Sequence, residues 1–525
     1  MNSISHTGSK RGFILLGGAL FLVLFQWLSR YAGAPVVDFT VDDWRLWKIA
    51  SSCSSLGEAF MQALNWPDRP LGAGIMMASY YLMDDHILAY NIAGYVYTAA
   101  YLLVGMGAVY ALTHDGVTAF VYGVLFSVLP NLTESYQWHT MSVSYGVGFT
   151  AYLLTVWLWV RYVEHGGAAR LIAVSGSFAV ALFSYEIGIL IPAALLLLCD
   201  PGNKKRALAG LSGLGVVILA YLAWKFTDGF GTLGTLLFPK RQVEFDVAGY
   251  AWNAREVVRW WTGTRVLEAF AHGLDGFLTL STARLMWLIP ITMIAAAVAV
   301  TGWRRGAQHV EAAFSKAPFS AFRLVVFSLA WFAVVNVITV LSWPGGRMNY
   351  LPAFGFCLGL AVMSRRWFRN APGVATWLLL VLFMFSNQGT SAQWRDSGLF
   401  HRALYEYLGE TRSVWQEKTA MVVDTSMFRD RLTPGLLSPP SYDILHWGHY
   451  GNATLIRGAF VSTMVTMLSE APVEVMLDME YGITREGDEV AGYGWYDRST
   501  TWRRPMNEIY WLDLREVIAR VGRKR

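Results

Sequence analysis

Long apolar runs alternate with short polar segments from residue 13 to about residue 390. Residues 13–28, 285–300 and 377–385 are examples, and basic or aromatic residues stand at the ends of many such runs. About 20 apolar residues in a helix match the ~30 Å hydrocarbon core of a bilayer, and aromatic rings prefer its boundaries. The pattern therefore predicts an all-α polytopic membrane protein.

The run 171–199 decides how the helices alternate across the membrane. Its 29 residues, taken as one helix, would measure about 43 Å, too long for one ordinary span and short for two. Its middle contains Glu186, and a carboxylate at the centre of a bilayer costs at least ~2.5 kcal/mol. A turn there, between two short helices, returns Glu186 to the outer side and leaves both flanking basic loops inside.

The same reasoning predicts about eleven transmembrane helices, with the N-terminus in the cytoplasm and the C-terminus outside. Twelve Lys and Arg residues then lie in short inner loops, and one, Arg347, lies in an outer turn. This asymmetry follows the positive-inside rule and indicates a multi-pass protein of the plasma (inner) membrane. The predicted helices are 13–30, 87–112, 117–130, 142–160, 171–184, 187–199, 207–224, 285–302, 324–342, 350–364 and 373–389.

Two long outer loops are predicted within this membrane domain, residues 1–390. The first, 32–86, has weak helical periodicity, and its segment 69–83 has an alternative interpretation as a half-inserted or spanning helix. In the second, 225–284, the segment 255–270 is rich in Arg and Trp, which is typical of an interfacial amphipathic helix.

The chain becomes polar from about residue 391 to its end. Short strand-like runs occur there at 420–424, 473–479 and 508–514. They predict a small extracytoplasmic α+β domain over residues 391–525, after the membrane domain.

Composition agrees with a membrane protein. The chain has 525 residues, of which 54% are hydrophobic and only 15% charged, whereas soluble domains carry about 25% charged residues. The net charge of +5 comes mostly from basic loops and says nothing about nucleic acid, and no nucleic-acid partner is expected for a protein of this class. Three scattered cysteines are too few for a disulfide framework. No A-x-A-like site follows the first apolar run, which is expected to be an uncleaved helix.

An acidic pair, Asp42-Asp43, follows the first predicted helix. Adjacent carboxylates in such a loop can act as a general base or bind a divalent cation. A solvated acidic turn or a helix cap explains the same two residues equally well. We expect both side chains to lie in a polar loop, where replacement by Asn leaves the fold nearly intact.

Four further motifs face outwards in this topology. Each places an ionisable side chain beside a turn. Such a side chain is costly at membrane depth. An arginine at such a turn can pair with an acid or a phosphate. A turn at a proline, or the start of a helix, would explain the same residues without any function. The motifs are Asp68-Arg69-Pro70-Leu71 with Asp84-Asp85-His86 and Asn91, Leu129-Pro130-Asn131-Leu132-Thr133-Glu134 with Trp138-His139, Ser184-Tyr185-Glu186, and Gly346-Arg347-Met348-Asn349-Tyr350-Leu351-Pro352.

The order of these five motifs resembles that of GT-C superfamily glycosyltransferases. The most similar pattern is that of the transmembrane O-mannosyltransferases with tetratricopeptide tails and their bacterial relatives: an acidic pair, R-P-L, H-P-x-x-T-E, S-K-E and E-R-Y-L-Y-L-P. The resemblance covers roughly residues 38–400. Leu129, Tyr185 and Gly346 replace the family's His, Lys and Glu, and no tetratricopeptide tail follows. The mannosyl donor and the acceptor are therefore not carried over.

The resemblance implies an inverting glycosyltransferase that moves a sugar from a polyprenyl-phosphate donor to an acceptor hydroxyl of a glycan, protein or lipid outside the cytoplasm. Asp42 or Asp43 would deprotonate the acceptor, and Arg347 would grip the departing phosphate. No cofactor is expected, and a divalent metal is not favoured. Substrate contacts are expected from Arg69, Asp85, His86, Glu134, His139, Glu186, Arg347 and Tyr350.

Two other classes also use ionisable residues in this setting. A secondary transporter is expected to show paired halves with similar interrupted helices, and this sequence has no such internal repeat. A polysaccharide polymerase or ligase shares the lipid-linked substrate, but it usually has one large outer loop late in the chain. The acidic pair here lies early.

Overall fold

The structure, a computed structural model, is helical in each of the eleven predicted membrane segments. It describes residues 5–40, 43–62, 69–199, 201–226, 247–262, 264–307, 318–341, 346–366, 373–424, 458–469, 473–477, 481–494 and 501–524. The helices are α1 Ser5–Arg30, α2 Asp43–Ser51, α3 Leu56–Met61, α4 Pro70–Met83, α5 Ile87–Thr113, α6 Gly116–Val128, α7 Thr133–Gln137, α8 His139–His165, α9 Ala168–Ser184, α10 Ile191–Leu195, α11 Lys204–Phe226, α12 Val247–Thr262, α13 Thr264–Leu278, α14 Thr282–Ala307, α15 Ala321–Leu341, α16 Pro352–Arg366, α17 Val374–Glu410, α18 Arg412–Trp415, α19 Gly458–Leu468 and α20 Leu514–Lys524.

The long helices have the length and surface of membrane helices. Among the described residues, six helices are long and apolar enough to cross a bilayer: α5, α8, α11, α14, α15 and α17. Large apolar side chains point away from the protein on several of them, such as Leu219, which is 68% exposed, and Met286, which is 75% exposed. A soluble protein rarely leaves so much contiguous apolar surface uncovered. The protein is therefore embedded in a membrane.

The predicted turn inside 171–199 is present. Helix α9 ends at Ser184, Tyr185 has an extended backbone, and the 3-10 turn Glu186–Gly188 follows. Helix α10 then begins with Pro192 in its first turn, a position at which the missing N–H of proline costs nothing. Glu186 therefore lies at a break between two helices and not inside one.

Both long loops contain helices. The segment 32–86 holds α2, α3 and α4, the last of which covers most of the 69–83 segment. The amphipathic segment expected over 255–270 is helical in α12 and α13, and Gly263, which stands between them in the sequence, lies outside the described residues. Helix α13 packs directly on α17. Their backbones are so close that a Cβ at Gly389 would overlap the Gly273 carbonyl oxygen.

Helix α17 continues through the point at which the composition changes. It runs unbroken from Val374 to Glu410 and thus crosses residue 391. Its second half shares one buried core with α2, α4 and the C-terminal elements, and Trp44, Met77, Leu404, Val423 and Val465 are part of it. The segment 32–86 and the C-terminal region are therefore packed together.

The described residues of the C-terminal region form two three-stranded sheets. The predicted strands are present as β1 Ala420–Asp424, β2 Glu474–Leu477 and β6 Ile509–Asp513, which form a parallel sheet in the order β2-β1-β6. Val422 is opposite both Met476 and Trp511 in its register. The second sheet is antiparallel and consists of β3 Tyr481–Glu486, β4 Glu489–Gly494 and β5 Thr501–Pro505.

Candidate functional site

Asp43 is the first residue of α2, and its side chain is completely buried. Its Oδ1 accepts hydrogen bonds from the Tyr80 hydroxyl at 2.5 Å, from Thr140 N at 3.0 Å and from Thr140 Oγ1 at 2.6 Å. Its Oδ2 accepts from Thr40 N at 2.8 Å and from Thr40 Oγ1 at 3.3 Å. A carboxylate has about four lone-pair directions, so these donors occupy all of them. The expectation of a polar loop is wrong for Asp43, which joins the loop to α4 and α8.

Tyr80 is the α4 member of this network. Burial, together with the negative charge of Asp43, raises the pKa of the Tyr80 hydroxyl well above its usual value. The hydroxyl therefore stays protonated and donates to the carboxylate. Replacing either partner would leave a buried polar group unpaired, which costs ~1–3 kcal/mol.

The second and fourth motifs meet in an ion pair between Arg69 and Glu186. Arg69 Nε donates to Glu186 Oε2 at 2.7 Å, and Arg69 Nη2 donates to Oε1 at 2.8 Å. The guanidinium also lies over the Tyr185 ring, 3.9 Å from its centre. Gly72 lets α4 approach the end of α9 this closely, because any residue with a Cβ at this position would overlap the Ser184 carbonyl oxygen. The pair thus fixes the start of α4 on the break after α9.

The fifth motif contacts both the third and the fourth. Its 3-10 helix, Gly346–Asn349, places Met348 Sδ 2.9 Å from the Tyr185 hydroxyl, which donates to it. Asn349 Nδ2 donates to the Asn131 carbonyl oxygen at 3.3 Å. Tyr350 is buried, and its carbonyl oxygen accepts a hydrogen bond from the Tyr101 hydroxyl at 2.9 Å. Tyr350 is therefore part of the packed wall beside the site.

Three of the candidate side chains are beyond what the structure describes. Asp42 lies outside the described residues, and so do the side chains of Glu134 and Arg347. Their backbone neighbours still locate two of the motifs, because α7 contains Glu134 and the 3-10 helix of the fifth motif contains Arg347.

His139 and Asn91 bind Val37, in the segment that precedes the acidic pair. His139 Nε2 lies 2.9 Å from the Val37 carbonyl oxygen, so this nitrogen carries the proton and donates. Asn91 pairs with the same residue through Val37 N to Oδ1 at 3.0 Å and Nδ2 to Val37 O at 2.9 Å. Both side chains are buried. The two side chains therefore hold Val37 on α5 and α8.

Asp85 and His86 lie at the protein surface between α4 and α5. Their side chains are 62% and 80% exposed, and His86 Nδ1 is 3.9 Å from Asp85 Oδ1. No hydrogen bond or ion pair in the described part of the chain joins them to Asp43, Arg69 or Glu186. The structure therefore does not bring these two candidates into the buried network.

Arg30 is a further buried cation, close to Tyr350, and the sequence pattern did not reveal it. It is 0% exposed at the end of α1, and its guanidinium binds the carbonyl oxygens of Phe126 and Ser127 in the last turn of α6. The free carbonyls and the dipole of a helix C-terminus attract a cation. The guanidinium carbon also lies 4.7 Å from the Tyr136 ring centre and 5.9 Å from that of Tyr350.

One feature of the sequence does set Arg30 apart. In the predicted topology it is a basic residue at the outer end of a helix, against the positive-inside rule. Its Nη1 has no hydrogen-bond partner among the described residues. The positive charge is therefore compensated here by the α6 carbonyls and aromatic faces.

The described side chains offer ion-pairing and hydrogen-bonding groups rather than a metal centre. Among them, no group of three or more His, Cys, Asp or Glu residues is placed to hold a metal ion. The network contains a partly exposed Arg–Glu pair, a saturated aspartate and a buried arginine. Such a set can orient loops and bind an anionic, hydroxyl-rich ligand.

Comparison with known proteins gives no relative: no family model matches the chain, and no curated protein matches it. The fold and the network define a membrane-embedded helical protein in which direct contacts join four of the five sequence motifs, and in which Asp43 of the first motif binds Thr140, the residue after His139.

Proposed function

We propose that the protein is an inverting glycosyltransferase that moves a sugar from a polyprenyl-phosphate donor to an acceptor hydroxyl outside the cytoplasm. The observation that supports it best is that direct contacts join four of the five motifs, while Asp43 of the first binds Thr140, next to the third. The ion pair of Arg69 with Glu186 joins the second and fourth motifs at 2.7 Å. Tyr185 and Met348 join the fourth and fifth.

Asp43 connects the first motif to the segment that follows the third. Its Oδ1 binds Thr140, which is adjacent to His139 at the start of α8. Asn349 and Asn131 complete the set by joining the fifth motif to the third. One site assembled from these motifs is what the resemblance to GT-C enzymes leads us to expect.

The chemistry requires a base for the acceptor and a cation for the leaving group. The acceptor oxygen attacks the anomeric carbon while its proton passes to a carboxylate, and the bond from that carbon to the phosphate oxygen breaks. The electron pair leaves with the polyprenyl phosphate, so the configuration at the anomeric carbon inverts. We assign the base to Asp42, because the lone pairs of Asp43 are already occupied.

Cationic groups would stabilise the departing phosphate. We assign Arg347 to this role, since its planar fork can bind two phosphate oxygens at once. Arg69 is the second candidate. It is held by Glu186 and remains partly exposed, with 17% of its side chain accessible. Glu186 would thus orient Arg69 towards the sugar phosphate.

We further propose eleven membrane spans, with the N-terminus inside and the C-terminus outside. The contacts between helix ends support this arrangement, because each joins ends that the charge distribution assigns to the same side. Inner ends are joined by Arg206 Nη1 to Glu164 O at 2.9 Å, by Arg323 to the carbonyl oxygens of Leu197 and Cys199, and by Arg365 Nε to Asp115 Oδ2 at 3.0 Å. Outer ends are joined by Arg30 with Phe126, Arg69 with Glu186, and Tyr185 with Met348.

The test is sugar transfer by the purified protein in lipid nanodiscs. Polyprenyl-phosphate sugars and the matching nucleotide sugars are supplied separately with glycan, peptide and lipid acceptors, and both products are measured. We expect transfer from the lipid-linked donors alone, with inverted anomeric configuration. Asp42→Asn is expected to lower the rate by about a hundredfold or more, whereas Asp513→Asn, at an exposed acid of the C-terminal region, serves as the matched control.

Two results would contradict the proposal. Transfer from nucleotide sugars would place the donor in the wrong class. Absence of transfer together with movement of a lipid-linked sugar across sealed vesicles would favour the transporter.

A further inference from the structure

Residues 37–40 have no regular secondary structure, and only Val41 stands between them and the acidic pair in the sequence; this segment is here called the strap. The strap does not belong to a sheet, and its backbone groups are bound by side chains. Asn91 from α5 binds both the N–H and the carbonyl of Val37, and His139 from α8 binds the same carbonyl. Thr40 then binds Asp43 through its N–H at 2.8 Å.

Arg402 from α17 holds the strap from a third side. Its Nε donates to Asp38 Oδ2 at 2.9 Å, and its Nη2 donates to Asp38 Oδ1 at 2.8 Å. Both side chains are partly buried, at 26% and 17% exposure. The guanidinium also lies 5.2 Å from the Trp44 ring centre. This two-point contact fixes the orientation of Asp38 as well as its position.

Gly398, one helical turn before Arg402, lets the strap lie against the helix itself. A Cβ at this position would come within 2.8 Å of Asp38 N and 2.9 Å of Asp38 O. The strap therefore contacts the backbone of α17 at Gly398 and is bound by the side chain of Arg402. Since α17 shares a core with the C-terminal region, the extracytoplasmic part of the protein is attached to the segment that carries the acidic pair.

We propose that Arg402 is a positioning residue for sugar transfer, which fixes the strap through Asp38 and thereby places the acidic pair against the acceptor. The inference rests on the proposed function. Its physical basis is that a general base acts only within hydrogen-bond reach of the proton it removes. A displacement of about 1 Å is enough to cost up to a hundredfold in rate. Three helices hold these four residues, which is the support that such a requirement calls for.

The experiment compares Arg402→Gln and Arg402→Lys with wild type in two assays. Hydrogen exchange of the peptide covering residues 36–47 reports on the strap without any substrate. Steady-state transfer gives kcat and the KM for the lipid-linked donor. The matched control is Arg520→Gln, which removes an equally two-pointed ion pair, with Glu410 on the same helix at 2.9 and 2.8 Å, that does not touch the strap.

We expect Arg402→Gln to speed exchange of the strap and to lower kcat by about tenfold to a hundredfold, with the donor KM nearly unchanged. Arg402→Lys keeps the charge but loses the fork, so its kcat is expected to lie between those of wild type and the Gln variant. The Arg520 variant is expected to leave both the strap exchange and kcat as in wild type.

Any of three results would overturn the inference. The first two are unchanged exchange in Arg402→Gln, and faster exchange with a normal kcat. An equal loss of kcat in the Arg520 variant would also overturn it, since the loss would then be general. If wild type transfers no sugar from any lipid-linked donor, the proposed function fails. The exchange assay then still decides whether Arg402 fixes the strap.

Discussion

The ion pair between Arg69 and Glu186 allows a quantitative test of the site. We consider Glu186→Gln, Arg69→Met and the double variant. The pair has two hydrogen bonds, at 2.7 and 2.8 Å, and its side chains are 17% and 18% exposed. A fully exposed pair is worth ~0–1 kcal/mol, whereas breaking a buried pair costs ~3–5 kcal/mol. The low exposure therefore predicts a loss of about 2–3 kcal/mol in each single variant.

The double variant separates the pair from its surroundings. Because it leaves no charge without a partner, its loss of stability should be smaller than the sum of the single losses by at least ~1 kcal/mol. Unfolding of the detergent-solubilised protein can be followed with a thiol-reactive dye, because Cys53 and Cys357 are buried and free. Additive single losses would show that Arg69 and Glu186 do not interact, and would remove the contact that joins the second and fourth motifs.

Three further predictions concern the network, the phosphate and the topology. Asp43→Asn is expected to cost about 3 kcal/mol, since a donor amide would face buried donors, and Tyr80→Phe only about 1 kcal/mol; thermal unfolding in which the Asn variant equals wild type would contradict the hydrogen-bond network. Arg347→Lys should fold normally yet lose much of its use of a lipid-linked donor, because an ammonium lacks the planar fork; equal transfer rates would reduce this arginine to a membrane anchor. A cysteine probe near Gly451 should react with an impermeant reagent from outside and one near Gly306 should not; the opposite pattern would invert the topology.

The helices could be predicted from the sequence because the bilayer imposes a strong constraint. Apolar length locates a span, and the cost of a buried carboxylate located the break at Glu186. The last membrane helix was expected to end near residue 389, but α17 continues to Glu410. Once a helix leaves the bilayer, apolar composition no longer marks it. The continuation depends on packing against α2, α4 and β1.

The antiparallel sheet β3-β4-β5 shows the limit of periodicity. Its first two strands carry charges beside the turn that joins them, at Glu486 and Glu489, so they lack the clear apolar alternation of a half-buried strand. The signal that was present is Gly487, which adopts a positive φ of 65° in the two-residue turn. A glycine followed by Asp is typical of such hairpins.

The site was predicted at the level of motifs but not of individual contacts. The sequence placed Arg69 and Glu186 near the same membrane face, and their pairing then depends on the approach of α4 to α9. It could not show that Asp43 is buried, because this follows from donors on two distant helices. It also did not reveal Arg402, whose partner Asp38 is 364 residues away in sequence.

A structure of the protein with a bound polyprenyl-phosphate sugar analogue would test the central claim most directly. We predict phosphate density at the outer ends of the helices, where the segments around Arg69, Glu186 and Arg347 meet, with the sugar directed towards the acidic pair. Phosphate density elsewhere, with these motifs away from any ligand, would show that their convergence serves the fold alone and would contradict the assignment as a lipid-phosphate glycosyltransferase.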